Sequence, residues 1–247
     1  MGKTAFNPLS QWRGRVGGQV YKVVNGQQVV VPYSGAKRKS TSLAQQSVQV
    51  RFALAGKLSK ITPAEILAGL NGSKVDRRSE FTRNITKRAN VTVIDDGFQA
   101  SIDAPNVIFS KGEVINIDLS GITMNAQGII SGNIANINEK VDAVLIIGVV
   151  SKGGDYTNVV YQVAPVENSA ATVNLSNELG TGTDVTVQLY YVPLTVSETA
   201  RQFLSTSEYD QLGTGNDEYI LNMLLNSVEG AYKWGQSQYV TALTVTP

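Results

Sequence analysis

Apolar and polar positions change period along the chain. Two alternating runs, Gln19-Val20-Tyr21-Lys22-Val23-Val24 and Gln27-Gln28-Val29-Val30-Val31, are joined by Asn25-Gly26. Asn and Gly tolerate the positive φ that both central residues of a type I′ turn need, so the pattern predicts a hairpin, which Pro32 and Gly35 end. The spacing then becomes helical. Leu43, Val50, Leu54 and Leu58 recur with Phe52 and Ala55 beside them, behind Ser40, Thr41 and Ser42 as capping residues, which predicts a helix from Leu43 to Lys60. Thr62-Pro63-Ala64-Glu65 carries a capping-box signature with proline at the first helical position, predicting a short second helix over Ile66, Leu67 and Leu70 before Asn71-Gly72. Phe81 and Ile85, four apart, predict a third helix over 75–89.

After Asn90 the runs shorten and turn residues separate them. Strands are expected over 91–94, 98–102, around Ile108, and over 114–119, 128–134, 141–150, 158–163, 171–175 and 185–192. Strands at such intervals, broken by Gly, Asn, Asp and Ser, read as a β-sandwich. Between Leu194 and Tyr232 the helical pattern returns: Ser197-Glu198 precedes Phe203 and Leu204, and Asp217-Glu218 precedes Ile220, Met223, Leu224 and Leu225. Alternation resumes over 237–245 as a closing strand. The expected fold is mainly β with α: an N-terminal hairpin and helical region over 1–89, then a sandwich over 90–247 with a helical insertion at about 194–232.

Composition narrows the chemistry. The 247 residues include no histidine and no cysteine. Serine and cysteine nucleophiles of the usual kind need an imidazole partner, and zinc, haem and non-haem iron sites lean on His or Cys, so the expectation is a protein that is not an enzyme and has no cofactor. No stretch approaches 18 consecutive apolar residues, and residues 1–12 hold no apolar run of signal-peptide length. Synthesis in a cytoplasm and no membrane partner are therefore expected. The Asn-Xaa-Ser/Thr sequons at Asn84, Asn90 and Asn174 are read as chance.

Net charge is only +1, but it is unevenly distributed: residues 1–60 hold ten basic residues and no acidic one, 61–100 sum to +1, and 101–247 to −10. Arg13, Arg15, Lys22, Lys37, Arg38, Lys39 and Arg51, with Trp12, Tyr21 and Tyr33 among them, are the candidate contact residues. They suit nucleic acid phosphates, where each neutralised phosphate adds salt-dependent affinity, the acidic portion of the same chain or of a neighbouring copy, as in head-to-tail assembly, or simply solvent.

Other constellations carry less. Asp95-Asp96, Asp210 and Asp217-Glu218 are the close acidic groups, and their glycine or helix-start settings read as turns and caps. Leu179-Gly180-Thr181-Gly182-Thr183-Asp184 and Leu212-Gly213-Thr214-Gly215-Asn216-Asp217 repeat L-G-T-G-x-D, but neither has the lysine of a phosphate loop or enough oxygens for calcium. Tyr232 and Trp234 are candidate surface aromatics for glycan binding.

Gly14-Arg15-Val16-Gly17-Gly18-Gln19-Val20, the Asn25-Gly26 hairpin, Lys37-Arg38-Lys39, Ala44-Gln45-Gln46 and Arg51-Phe52-Ala53-Leu54-Ala55 resemble a domain family of unknown function found in Bacteroidota and their mobile elements. The runs 185–192 and 236–245 look like the last two strands of that family's immunoglobulin-like half. The resemblance implies an N-terminal hairpin and helix joined to an Ig-like sandwich, and no catalytic residues. The chain departs from the family in carrying Leu194 to Tyr232 where a short hairpin turn is expected. Ig-like domains made without an export signal are common in virions, so the expectation is a non-enzymatic phage structural protein of capsid, vertex or tail. Its partners would be copies of itself and other virion proteins. A nucleic-acid-binding module and a carbohydrate-binding attachment protein are the alternatives.

Overall fold

The computed structural model describes residues 2–4, 14–16, 19–24, 27–32, 42–94, 97–138, 140–167, 169–176, 184–205, 217–227 and 230–244. The chain divides into two compact units, Met1–Ser42 and Leu43–Pro247. In the first, β1 (Gly2–Thr4), β2 (Gly14–Val16), β3 (Gln19–Val24) and β4 (Gln27–Pro32) form an antiparallel sheet in the order β1-β4-β3-β2. The expected hairpin is β3 and β4, paired from Gln19↔Pro32 to Val24↔Gln27. Asn25 and Gly26 lie outside the described residues.

The second unit opens with two helices, α1 (Leu43–Ile61) and α2 (Lys74–Arg88). Between them the expected second helix is a single 3₁₀ turn, Glu65–Leu67, without a side-chain cap. Thr62 is still committed to α1: its backbone N–H and its hydroxyl both donate to the Leu58 carbonyl, at 3.0 and 2.7 Å. Gly72, at φ 95°, then ends the segment. The capping box occurs one element later, where Ser73 accepts from the Asp76 N–H and the Asp76 carboxylate accepts from Ser73.

A small hairpin, β5 (Asn90–Ile94) with β6 (Gly97–Ser101), precedes a sandwich of two antiparallel sheets. One sheet holds β7 (Asp118–Met124), β8 (Ile129–Ala135) and β11 (Ala171–Ser176) in the order β11-β8-β7. The other holds β9 (Ala143–Lys152), β10 (Asp155–Pro165), β12 (Val185–Val196), β13 (Tyr232–Trp234) and β14 (Gln238–Thr244), ordered β10-β9-β12, with β13 and β14 both pairing β12. Two of the strands expected from sequence after Asn90 differ, and β13 is a strand not among those expected. Around Ile108 the chain forms no strand; a 3₁₀ turn, Ala104–Asn106, stands just before it. The strand expected over 114–119 instead runs through Gly121 to Met124, because a register shift between Ser120 and Thr123 and φ 65° at Gly121 let the strand bend past the glycine.

The five-stranded sheet is the middle layer of three. In β9 every residue from Ala143 to Ser151 is buried. Alternate side chains serve two cores: Val144, Ile146 and Val150 join Val187, Leu189, Ile130 and Ile134 against the three-stranded sheet. Ala143, Leu145, Ile147 and Val149 join Leu54, Leu58, Phe81, Ile85 and the helices of the 194–232 segment. Burying each of these larger aliphatic side chains contributes about 1.5–3 kcal/mol. The insertion itself is α3 (Glu198–Ser205) and α4 (Asp217–Ser227), and it closes this core through Ala200, Leu204, Ile220, Leu221, Leu224 and Leu225. An aromatic column links helix to sheet: Phe81 to Phe109 at 5.3 Å, Phe109 to Tyr190 at 5.0 Å and Tyr190 to Tyr239 at 5.5 Å between centroids, the last two edge-to-face.

Candidate functional site

Of the residues predicted as contacts, the described ones are divided between the two compact units. Arg15 stands on β2 opposite Val20, and Lys3 and Lys22 both stand opposite Val29 in the N-terminal sheet. Arg13, Lys37, Arg38 and Lys39 lie outside the described residues. Arg51 lies on α1 in the second unit, half-buried, with its Nε enclosed and unpaired among the described residues.

A different basic surface is assembled by α1 and α2. Phe81 and Ile85 turn one face of α2 into the core and leave the other facing outward beside α1. Between the helices runs a groove of about 820 Å³ lined by Phe52, Val75, Thr82 and Thr86 and by four cations, Lys74, Arg78, Arg83 and Lys87. Among the described residues no acidic side chain lines it. Phe52 is 59% exposed and Val75 74%, so an apolar floor with a cationic rim faces solvent.

Each charge has a local cause. Arg78 is structural in part: its guanidinium donates to the Ser59 and Thr62 carbonyls, satisfying backbone acceptors at the end of α1. Asp76 is occupied by the cap, and the Ser73 hydroxyl and backbone N–H hold its carboxyl below the usual value. Glu80 is paired with Lys111. Lys74, Arg83 and Lys87 have no ion pair among the described residues. Lys74 and Arg78, and Arg83 and Lys87, are like charges four residues apart, each pair destabilising a helix by about 0.2–0.5 kcal/mol. An acidic group placed on this face would relieve that repulsion.

Counting charge over 61–100 hides this surface, since five acidic residues nearly cancel six basic ones. Separating the helical pair from the strands and the insertion restores it. Residues 43–89 hold nine basic and three acidic residues, +6, whereas 90–247 hold five basic and seventeen acidic, −12. A helical-wheel count of α2 is the signal that finds the stripe in sequence.

Among the described residues no group of three His, Cys, Asp or Glu side chains could hold a metal ion, and no helix is long and apolar enough to cross a membrane. Asp95, Asp96, Asp210 and the glycine-rich parts of both L-G-T-G-x-D loops lie outside the described residues. Glu218 accepts from the Gln162 amide at 3.2 Å. Tyr232, expected at the surface, is buried at 6% exposure, and its hydroxyl donates to the Leu221 carbonyl at 2.8 Å because β13 is packed beneath α4. Trp234 is half-buried against Gly69, where an added Cβ would lie 2.8 Å from the indole. These two aromatics therefore do not form an exposed sugar-stacking pair.

No protein-family model, no curated protein and no solved structure matches the chain.

Proposed function

We propose that this chain is a non-enzymatic structural protein that assembles in multiple copies as a capsid, vertex or tail component of a virion of a Bacteroidota phage. The observation that supports it is the segregation of charge within one compact unit, +6 on the helical pair against −12 on the remainder. Oppositely charged regions on a single unit favour contact between copies in a defined register, whereas like regions repel. The resemblance of the first 60 residues favours a mobile-element origin, and the missing histidine and cysteine favour a role without catalysis.

The sandwich fits this reading as an immunoglobulin-like scaffold. Its strands enter the two sheets as a pair, a second pair on the facing sheet, a single return, then β12 beside β9 with β14 beside β12, an order close to that of immunoglobulin-like domains. Here the outer face of the larger sheet carries helices.

Mass spectrometry of particles purified from a producing culture tests the virion reading. The expected result is this chain in many copies per particle. Abundance in the soluble cell fraction with none in the particles contradicts it. Nucleic acid binding is the second reading, favoured by the cationic lining of the α2 groove, and it predicts DNA affinity that falls steeply with salt.

A further inference from the structure

We propose that the groove between α1 and α2 is a docking site for α4 of a second copy of this chain, entered by the exposed, acidic start of that helix. The proposal rests on the assembly reading and names the two surfaces that meet.

The groove sets the requirements. Its floor is apolar, with Phe52 and Val75 largely exposed, so a purely polar ligand leaves that floor wet. Its rim is cationic, with no acidic side chain among the described residues, so the occupant must be negative. An apolar anchor flanked by carboxylates on a helix meets both conditions, in the helix-in-groove mode. Its volume of about 820 Å³ admits several side chains.

The same chain carries such an occupant. α4 holds Asp217 and Glu218 and no basic residue, and α3 holds Glu198 and one basic residue, Arg201. Arg201 is itself engaged, with Asp142 at 2.6 Å. Ile220, Leu221, Leu224 and Leu225 hold α4 in its own core, which turns Glu218 and Tyr219 outward. Tyr219 is 67% exposed, an aromatic anchor beside a carboxylate. The Glu218 bond to Gln162 is between exposed groups, so exchanging it for Lys74 or Lys87 costs little. Tyr219 in the groove against Phe52 and Val75, with Glu218 at the cationic rim, relieves the like-charge pairs of α2 and covers the apolar floor.

Sedimentation velocity on the full chain tests the contact through two surface variants, Lys74→Glu/Lys87→Glu in the groove and Glu218→Lys/Tyr219→Ser on α4. The altered side chains are solvent-facing, and circular dichroism checks that each variant folds. The expected result is an associating wild type, at least a tenfold loss of association in either variant alone, and recovery when Glu218→Lys is mixed with Lys74→Glu/Lys87→Glu. A wild type that associates with variants that associate equally well overturns the groove contact and leaves the assembly reading standing. A wild type that stays monomeric overturns both. A mass unchanged by the substitutions, with DNA binding lost in Lys74→Glu/Lys87→Glu, assigns the groove to nucleic acid and overturns the protein contact.

Discussion

Tyr190 and Tyr232 are both buried in the helix-facing core, yet their hydroxyls have different fates. The Tyr232 hydroxyl donates to the Leu221 carbonyl and fastens β13 to α4, whereas the Tyr190 hydroxyl is enclosed with no protein partner among the described residues. Removing a satisfied buried hydrogen bond costs about 0.5–1.5 kcal/mol, while removing an unpaired hydroxyl is near neutral. Urea unfolding should therefore place Tyr232→Phe about 1 kcal/mol below wild type and Tyr190→Phe within about 0.5 kcal/mol of it or above. Glycines divide in the same way. A Cβ at Gly112 would lie 1.9 Å from the Trp234 carbonyl oxygen, whereas one at Gly56, within α1, meets nothing within 4 Å. Gly112→Ala should be destabilising by more than about 2 kcal/mol, and Gly56→Ala should stabilise by about 0.5–1 kcal/mol through helix propensity. Thermal melts of both variants check the contrast.

Among the elements, the two capping motifs show what local sequence specifies. Thr62-Pro63-Ala64-Glu65 matches the consensus but is not used, because its threonine terminates α1. Ser73 with Asp76 departs from the Glu/Gln consensus and is used, because Gly72 breaks the chain and a 15-residue helix comes next. Ser73→Ala should cost about 1 kcal/mol, read by urea unfolding, with loss of α2 helicity by hydrogen exchange. Helices and strands were mostly legible because their periods differ: 43–60, 141–150 and 185–192 each have one dominant pattern. The pattern could not carry which faces meet. The apolar run of β9 is compatible with any buried strand, and only the packing reveals that its odd and even residues serve separate cores. The groove's charge is hidden from a linear count for a related reason: Asp76 and Glu80 cancel charge there but are spent on a cap and on Lys111 in the fold.

For the molecule as a whole, the absence of histidine and cysteine removes the side chains that ordinarily titrate between carboxylates and phenols. Stability should thus be nearly flat around neutral pH. Burial raises the phenols of Tyr156, Tyr161, Tyr190, Tyr191, Tyr232 and Tyr239, most strongly at Tyr190. Their protons are held more tightly in the folded chain. The resulting stabilisation is complete below the unfolded phenol value of about 10 and is lost as pH rises through the folded values, since the unfolded chain ionises first. Alkaline titration should show the tyrosinate absorbance of these six side chains rising cooperatively, coincident with loss of circular dichroism. The Asp76 contribution has the opposite sense: it is present above the ordinary carboxylate value and lost as pH falls through the lowered folded one.

Charge segregation across one compact unit, with an apolar groove on its cationic side, makes association between copies the property on which the functional reading depends. Sedimentation equilibrium of the full chain measures it, at about 0.1 M salt, where the Debye length is about 10 Å, and at about 1 M, where it is about 3 Å. The expected mass is a multiple of the single chain at the lower salt and falls towards one chain at the higher. A single-chain mass at every concentration in both salts would contradict association.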